Sequence, residues 1–425
     1  MDHMSALNQI KPIIKGVFDN REPDDQWAIP LGTVNYGSDE VLEVLDTLLS
    51  GQVTMGPKVA QFESMWAEHV GRKHAIMVNS GSSANLAAIC ALASLRFDGG
   101  IRPGDEVITT AIPWSTTVAP IVQVGAVPVF VDVDPETFNI DPKLIEDAIT
   151  SKTKAIMHVS LLGNPQGIET VAAIAKKHNL IVIEDACEAT GSSTNGKRVG
   201  TFGELGTFSF FFSHHISTVE GGMVVTDNDL LADLVRSIRA HGWTRDSEYD
   251  LKDLQSTSDL QAKWTFIESG FNLRPTEISG AFGIQQLPKL DPIIEHRRET
   301  ARIWAEALHK YSQLITISKE QPRDRHSWFG YPIVVKPNTS FDRDELANYL
   351  KAKSIDVRPI IAGNILEHPV IQQWPHRVSG ETSTASWIHR NGLMVGNHEG
   401  IDDEARSYFI NTISAFLDGH ASDLS

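Results

Sequence analysis

An α/β fold is predicted: a large, mostly parallel sheet domain followed by a smaller C-terminal α/β domain. Three observations carry this expectation. From about residue 38 to 240, short apolar runs alternate with helical segments, the pattern of a mainly parallel sheet crossed by helices. The chain has 425 residues, more than one hydrophobic core of about 250–300 residues accommodates. After residue 290 a further strand–helix–strand pattern begins. The expected division is an N-terminal extension over 1–24, a large domain over 25–290 and a small domain over 291–425.

Taken in order, short β-branched or apolar runs predict strands over 75–78, 106–110, 127–131, 155–159, 180–184, 207–212 and 223–226. Helices are expected over 83–95, 141–150, 168–178 and 229–240. Asp141 followed by Pro142 is a helix start, an N-cap with proline at the first helical position. Residues 244–268 are polar and weakly periodic, so a loop is expected there. A helix returns over 276–287 and a longer one over 292–311. The small domain then reads as a strand over 330–335, a helix over 342–353 and a strand over 355–359. No repeat, low-complexity tract or flexible linker separates the two parts, so they should pack tightly.

Composition excludes several function classes. A net charge of −17 argues against sequence-independent nucleic-acid binding, which depends on Lys and Arg neutralising phosphates. Two cysteines, Cys90 and Cys187, are too few for a disulfide framework or for the four thiolates of an iron–sulfur cluster. They suggest a reducing compartment, and a cytoplasmic protein is expected. No apolar stretch approaches the roughly 20 residues of a membrane helix, and residues 1–20 lack a signal-peptide core. No metal site is expected.

Candidate chemistry gathers where predicted strands end, the usual ligand edge of an open α/β sheet. Ile181-Val182-Ile183-Glu184-Asp185-Ala186 ends a buried strand on carboxylates. Asp185 there suits the ring nitrogen of a pyridine-type cofactor, although taken alone it also fits a helix N-cap or surface acid. Asn79-Ser80-Gly81-Ser82-Ser83-Ala84-Asn85 follows a strand and opens a helix. Free N–H groups, hydroxyls and the helix dipole make Gly81 and Ser82 candidates for an anion site; a tight turn with capping serines has the same pattern. Trp114 follows the 106–110 strand, either as a ring platform or as core. The run from Gly206 to Phe212 delivers Ser209, then His214 and His215, then Glu220-Gly221-Gly222. A lone histidine is ordinarily structural or exposed, so its register decides.

Together these segments resemble the pyridoxal-phosphate site of the DegT/DnrJ/EryC1/StrS family, sugar aminotransferases acting on nucleotide-linked 4-keto sugars. The resemblance extends from about residue 30 to near the C-terminus. It implies the fold type I, aspartate aminotransferase-like architecture, with a large mostly parallel mixed sheet. It also implies phosphate contacts from Gly81, Ser82 and Ser209, a pyridine ring stacked on Trp114, Asp185 on the ring nitrogen, and Glu188 beside the ring. Gly270-Phe271-Asn272-Leu273-Arg274-Pro275 matches a segment whose asparagine reaches the neighbouring subunit's phosphate. Asn272 is therefore expected to act in trans, in a homodimer with shared active sites. His215, His326 and Arg358 are the implied substrate contacts, with Trp328 and Asn364 as further sugar-pocket candidates.

In that family the slot six residues before Glu-Gly-Gly holds the lysine that ties down the cofactor. Here the slot holds His214, with His215 where many relatives carry asparagine. Imidazole moves protons near its reference pKa of about 6.5 but forms no such covalent link. Family members with histidine in this slot are 3-dehydratases. One kind uses an iron–sulfur cluster; the other is cluster-free and draws on glutamate, and two cysteines fit the second. The resemblance thus implies removal of the C3 hydroxyl of a nucleotide-linked 4-keto-6-deoxyhexose, with GDP-4-keto-6-deoxymannose favoured. Pyridoxal and pyridoxamine phosphate would be the cofactor forms, glutamate the regenerating amine donor, and ammonia a product. The alternatives are a true aminotransferase using another lysine, such as Lys197 or Lys263, and an inactive cofactor-binding regulatory protein. Retention of Asp185, Ser209, Trp114 and Asn272 together argues against decay.

Overall fold

The computed structural model describes residues 3–20, 26–245, 247, 258, 261 and 264–421. Its centre is an eight-stranded sheet. The order is His74–Val78, Gly222–Thr226, Leu205–Ser209, Ile181–Asp185, Thr153–Val159, Glu106–Thr110, Val127–Val131 and Arg377–Val378. Gly222–Thr226 runs antiparallel to both its neighbours, and every other pairing is parallel. These strands are apolar almost throughout because both faces of the sheet are covered. The helix Gly81–Ala93 lies against one face through fully buried Ala84, Ala87, Ala88 and Ala91. Such small side chains let the helix approach the sheet closely and bring its N-terminus to the strand ends.

The expected 207–212 strand is shorter than the sequence suggested. Pairing covers Leu205–Ser209, and the chain then turns out of the sheet. Phe210 N–H donates to the Gly221 carbonyl at 2.9 Å and Phe210 carbonyl accepts from Thr218 N–H at 2.9 Å, which closes a loop over 210–221. Val219 in this loop has φ +68°, a costly conformation for a β-branched residue. The 141–150 helix is broken in two. Asp141 accepts from Lys143 N–H, Pro142–Leu144 forms a 3₁₀ turn, and Ile145–Ala148 completes a short α-helix.

The long helix Leu290–Leu308 leads to a second, antiparallel sheet ordered Ile315–Ile317, Gly330–Val335, Gly392–Gly396 and Val357–Pro359. Gly392–Gly396 is a central strand that the sequence reading missed, because a three-residue apolar run between glycines shows no alternation. Two segments cross the division expected at residue 290. Ile29 packs in the core of the small sheet, its N–H bonded to Ser354 carbonyl at 3.2 Å. Arg377–Val378 returns to pair with Val127–Val131 at the edge of the large sheet. The two layers therefore interlock. Much of the expected 244–268 loop lies outside the described residues; Thr244 N–H and Thr265 carbonyl join its ends at 2.9 Å.

Candidate active site

A cavity of about 420 Å³ opens at the C-terminal ends of the parallel strands, beneath residues contributed by the small sheet. Gly81, Ser82, Trp114, Asp185, Glu188 and Ser209 line it from the large domain. His214 and Arg358 line it as well. Among the described residues no lysine lines this cavity.

One end is built for an anion. Ser80 caps the helix Gly81–Ala93 by accepting from Ser83 N–H, which leaves the N–H groups of the first turn facing the cavity. Ser82 Oγ shares a hydrogen bond with Thr116 Oγ1 at 2.8 Å. Ser209 sits directly against the turn: a Cβ placed on Gly81 would lie 2.6 Å from Ser209 Cβ and 2.9 Å from Cys187 Sγ. Only glycine permits that approach.

The floor carries a buried carboxylate. Asp185 Oδ2 accepts from Thr117 Oγ1 at 2.6 Å and Asn85 Nδ2 at 2.8 Å, while Oδ1 accepts from Cys187 N–H at 3.1 Å. Thr207 Oγ1 holds Asn85 in turn by donating to its Oδ1 at 2.6 Å. Trp114 is 54 % exposed although it lines a cavity, so its indole face is open to a planar ligand. Glu188 Oε2 accepts from Leu162 N–H at 2.8 Å. Burial, aided by the neighbouring Asp185 charge, pushes the Glu188 carboxyl up to about 7.

His214 lines the same cavity among aromatic side chains. Its ring meets Phe329 edge-on with centroids 4.9 Å apart, and Phe211 at 6.0 Å. Asn35 Nδ2 donates to the carbonyls of His214 at 3.4 Å and His215 at 3.3 Å, fixing the loop. Nδ1 is buried without a hydrogen-bond partner, so Nε2 is the ring nitrogen open to the cavity. Burial, reinforced by the Arg297 and Arg358 guanidiniums, pushes the imidazole down to about 3. At neutral pH it is an uncharged base.

Two expected substrate contacts do not line this cavity. His215 is fully buried and its Nε2 bonds the Ser327 carbonyl at 3.0 Å, since adjacent side chains in the loop point to opposite sides. His326 is buried flat against Trp328 at 4.0 Å, its Nδ1 accepting from Trp328 N–H. Both pack inside the protein and neither lines this cavity. Asn272, expected to act on a neighbouring subunit, lines a separate pocket of about 310 Å³ with Thr54, Trp243, Arg245 and Arg274. Trp328 and Asn364 are likewise buried outside the cavity, Asn364 capping its own turn by accepting from Leu366 N–H. Sequence reasoning missed Asn35, Phe329 and Arg297. Arg297 is buried beneath the site and donates to the carbonyls of Phe329 and Asn397.

Phosphate-binding turn, open aromatic face and hydrogen-bonded carboxylate together fit pyridoxal phosphate. The model of the DegT/DnrJ/EryC1/StrS aminotransferase family matches residues 35–414. A GDP-4-keto-6-deoxy-D-mannose 3-dehydratase of Yersinia pseudotuberculosis is 40% identical over 373 residues, covering 87% of this chain and 94% of that one. The solved Escherichia coli GDP-4-keto-6-deoxy-D-mannose-3-dehydratase with bound hydrated PLP superposes with a TM-score of 0.86 at 38% identity, over 91% of this chain and 99% of that one. A GDP-4-keto-6-deoxymannose-3-dehydratase with a trapped PLP-glutamate geminal diamine gives 0.84 at 38% identity, over 89% and 99%.

Proposed function

The chain belongs to the DegT/DnrJ/EryC1/StrS aminotransferase family, and from that premise we propose that it is a pyridoxal-phosphate-dependent sugar 3-dehydratase. Its substrate is a nucleotide-linked 4-keto-6-deoxyhexose, GDP-4-keto-6-deoxymannose first among them. Net, the sugar exchanges its C3 hydroxyl for hydrogen while glutamate becomes 2-oxoglutarate and ammonia. The two electrons come from glutamate, so no iron–sulfur cluster is needed. The carrying observation is that His214, and no lysine, faces the cavity among the described residues.

When bound, the cofactor supplies an amine and an electron-accepting ring. The first-turn N–H groups of the helix at Gly81, with Ser82 and Ser209, hold its phosphate. Trp114 covers the ring face, and Asp185 sets a negative charge against the ring nitrogen. His214, uncharged at neutral pH, accepts a proton at Nε2 and returns it as the C3 hydroxyl departs. Phe329 and Phe211 confine the imidazole to one orientation and keep water from its buried edge. Glu188 holds a proton near neutrality beside Asp185, limiting the negative charge on that side.

A homodimer with shared sites belongs to the same reading. Phe211, Phe212, Val219, Trp264, Phe266 and Phe271 are exposed large apolar residues near the cavity mouth and the Asn272 pocket, a surface suited to burial by a second copy. Asn272 then reaches the partner's phosphate. No helix among the described residues is long and apolar enough to cross a membrane, and nucleotide sugar and glutamate suit a cytoplasmic enzyme. Of the alternative lysines, Lys197 lies over Phe202 in a different groove, and Lys263 lies outside the described residues.

Incubation with pyridoxal phosphate, glutamate and GDP-4-keto-6-deoxymannose tests the reading. Ammonia, 2-oxoglutarate and a 3-deoxy ketone are expected in equal amounts. A 4-amino sugar without ammonia indicates an aminotransferase, and no turnover indicates a binding protein.

A further inference from the structure

We propose that Gln286 is a positioning residue for the proton transfer, its side-chain amide clamping the loop that carries His214. This rests on the dehydratase reading above and names the device that holds its base in place. Gln286 ends the helix Glu277–Gln286 and is fully buried. Its Oε1 accepts from Ser217 N–H at 2.9 Å. Its Nε2 donates to the Asn35 carbonyl at 3.0 Å, and Asn35 Nδ2 donates in turn to the carbonyls of His214 and His215. The backbone at 214, 215 and 217 thus hangs from one amide. The loop needs such an outside hold. Its own backbone bonds join Phe210 to Thr218 and Gly221 and Phe211 to His214, while Val219 sits at φ +68°, a conformation that persists only under restraint.

Glu40 keeps the amide from turning over. It is fully buried near the start of the helix Ser38–Ser50, and its Oε1 accepts from Gln286 Nε2 at 2.7 Å. Lys289 Nζ bonds the same oxygen, and Oε2 accepts from Gly37 N–H at 2.9 Å. Burial works against ionising Glu40, but hydrogen bonds from Lys289, Gln286 and the N–H groups of Gly37 and Glu40 outweigh it and hold the carboxyl below its ordinary range. An ionised carboxylate only accepts, so it draws Nε2 to itself and leaves Oε1 facing Ser217. Glutamine is the side chain that fits, because both amide donors and the oxygen are engaged. A carboxylate at 286 would lose the bond to Asn35 and meet Glu40 with like charge.

Hydrogen exchange and steady-state kinetics on the pyridoxal-phosphate-loaded protein test the clamp, using Gln286→Met, Asn35→Ala and the double variant. Peptides over 210–221 should exchange about tenfold faster in either single variant, while Leu205–Ser209 keeps its wild-type protection. The turnover number should fall about ten- to a hundredfold with KM for the sugar within about threefold, since alignment is lost and binding is not. The double variant should lose no more than the worse single one, because both residues serve one chain of bonds. Asn35→Ala carries the test if Gln286→Met does not fold. Unchanged exchange over 210–221, losses that multiply in the double variant, or cofactor affinity that falls in step with turnover each overturn the assignment. Wild-type protein without dehydratase turnover overturns the dehydratase reading, and the exchange data then decide the clamp by themselves.

Discussion

The imidazole of His214 is held edge-on against Phe329, with ring centroids 4.9 Å apart and planes at 63°. Phe329 immediately precedes the strand Gly330–Val335 of the second sheet, and Arg297 grips its carbonyl, so residues beside the second sheet aim the proposed proton carrier. Phe329→Leu removes that flat wall while keeping the site apolar. The turnover rate should fall about ten- to a hundredfold through lost alignment, with KM for the sugar little changed. Steady-state kinetics on the folded variant checks this.

Asp185→Asn tests the floor. The carboxylate accepts from Asn85, Thr117 and Cys187 N–H, so an amide there sets an NH₂ group against a donor. Stability should drop by about 1–3 kcal/mol and cofactor affinity at least about tenfold. Thermal melts and quenching of the Trp114 fluorescence by added pyridoxal phosphate measure the two effects.

Gly81→Ala should abolish cofactor binding while leaving the fold. The new methyl would lie 2.6 Å from Ser209 Cβ, forcing the phosphate turn away from Ser209. Ser82→Ala, which removes only a hydroxyl, should cost far less. Equilibrium dialysis with pyridoxal phosphate separates the two.

Glu188 makes the protein pH-sensitive in a defined direction. Its carboxyl titrates at about 7 in the folded state, above the ordinary value near 4.3. Between those values the native state keeps a proton that the unfolded chain has released, so its contribution to stability is present in acid and fades as pH rises through 7. Ionisation also adds a second negative charge beside Asp185, which should raise KM for glutamate above pH 7. Glu188→Gln should flatten the melting temperature between about pH 4.3 and 7, and this KM across about pH 7.

Much of this site was legible because its parts are local. Ser80-Gly81-Ser82, Asp185 and Ser209 each end a strand and begin a turn, and residues so placed face one edge of a parallel sheet whatever the packing. His214 could be found by counting back from Glu220. What the sequence does not carry is tertiary. His215 and His326 carry suitable chemistry in suitable segments, but a loop side chain one position along points into the core, and a histidine beside a tryptophan can stack on it. Phe329 sits just before the expected 330–335 strand, and nothing local says that it meets His214. Asn35 carries no sequence signal at all, since its role depends on a contact 179 residues away. The interlocking of Ile29 and Arg377–Val378 across the two domains escaped for the same reason.

The most direct measurement is borohydride reduction of the cofactor-loaded protein followed by mass spectrometry of its peptides. Wild-type protein should carry no cofactor adduct, because His214 moves protons without bonding to the aldehyde. His214→Asn should bind the cofactor yet turn over roughly 10²–10⁴-fold more slowly, and His214→Lys should become labelled at residue 214. A wild-type adduct on any lysine would contradict the central claim.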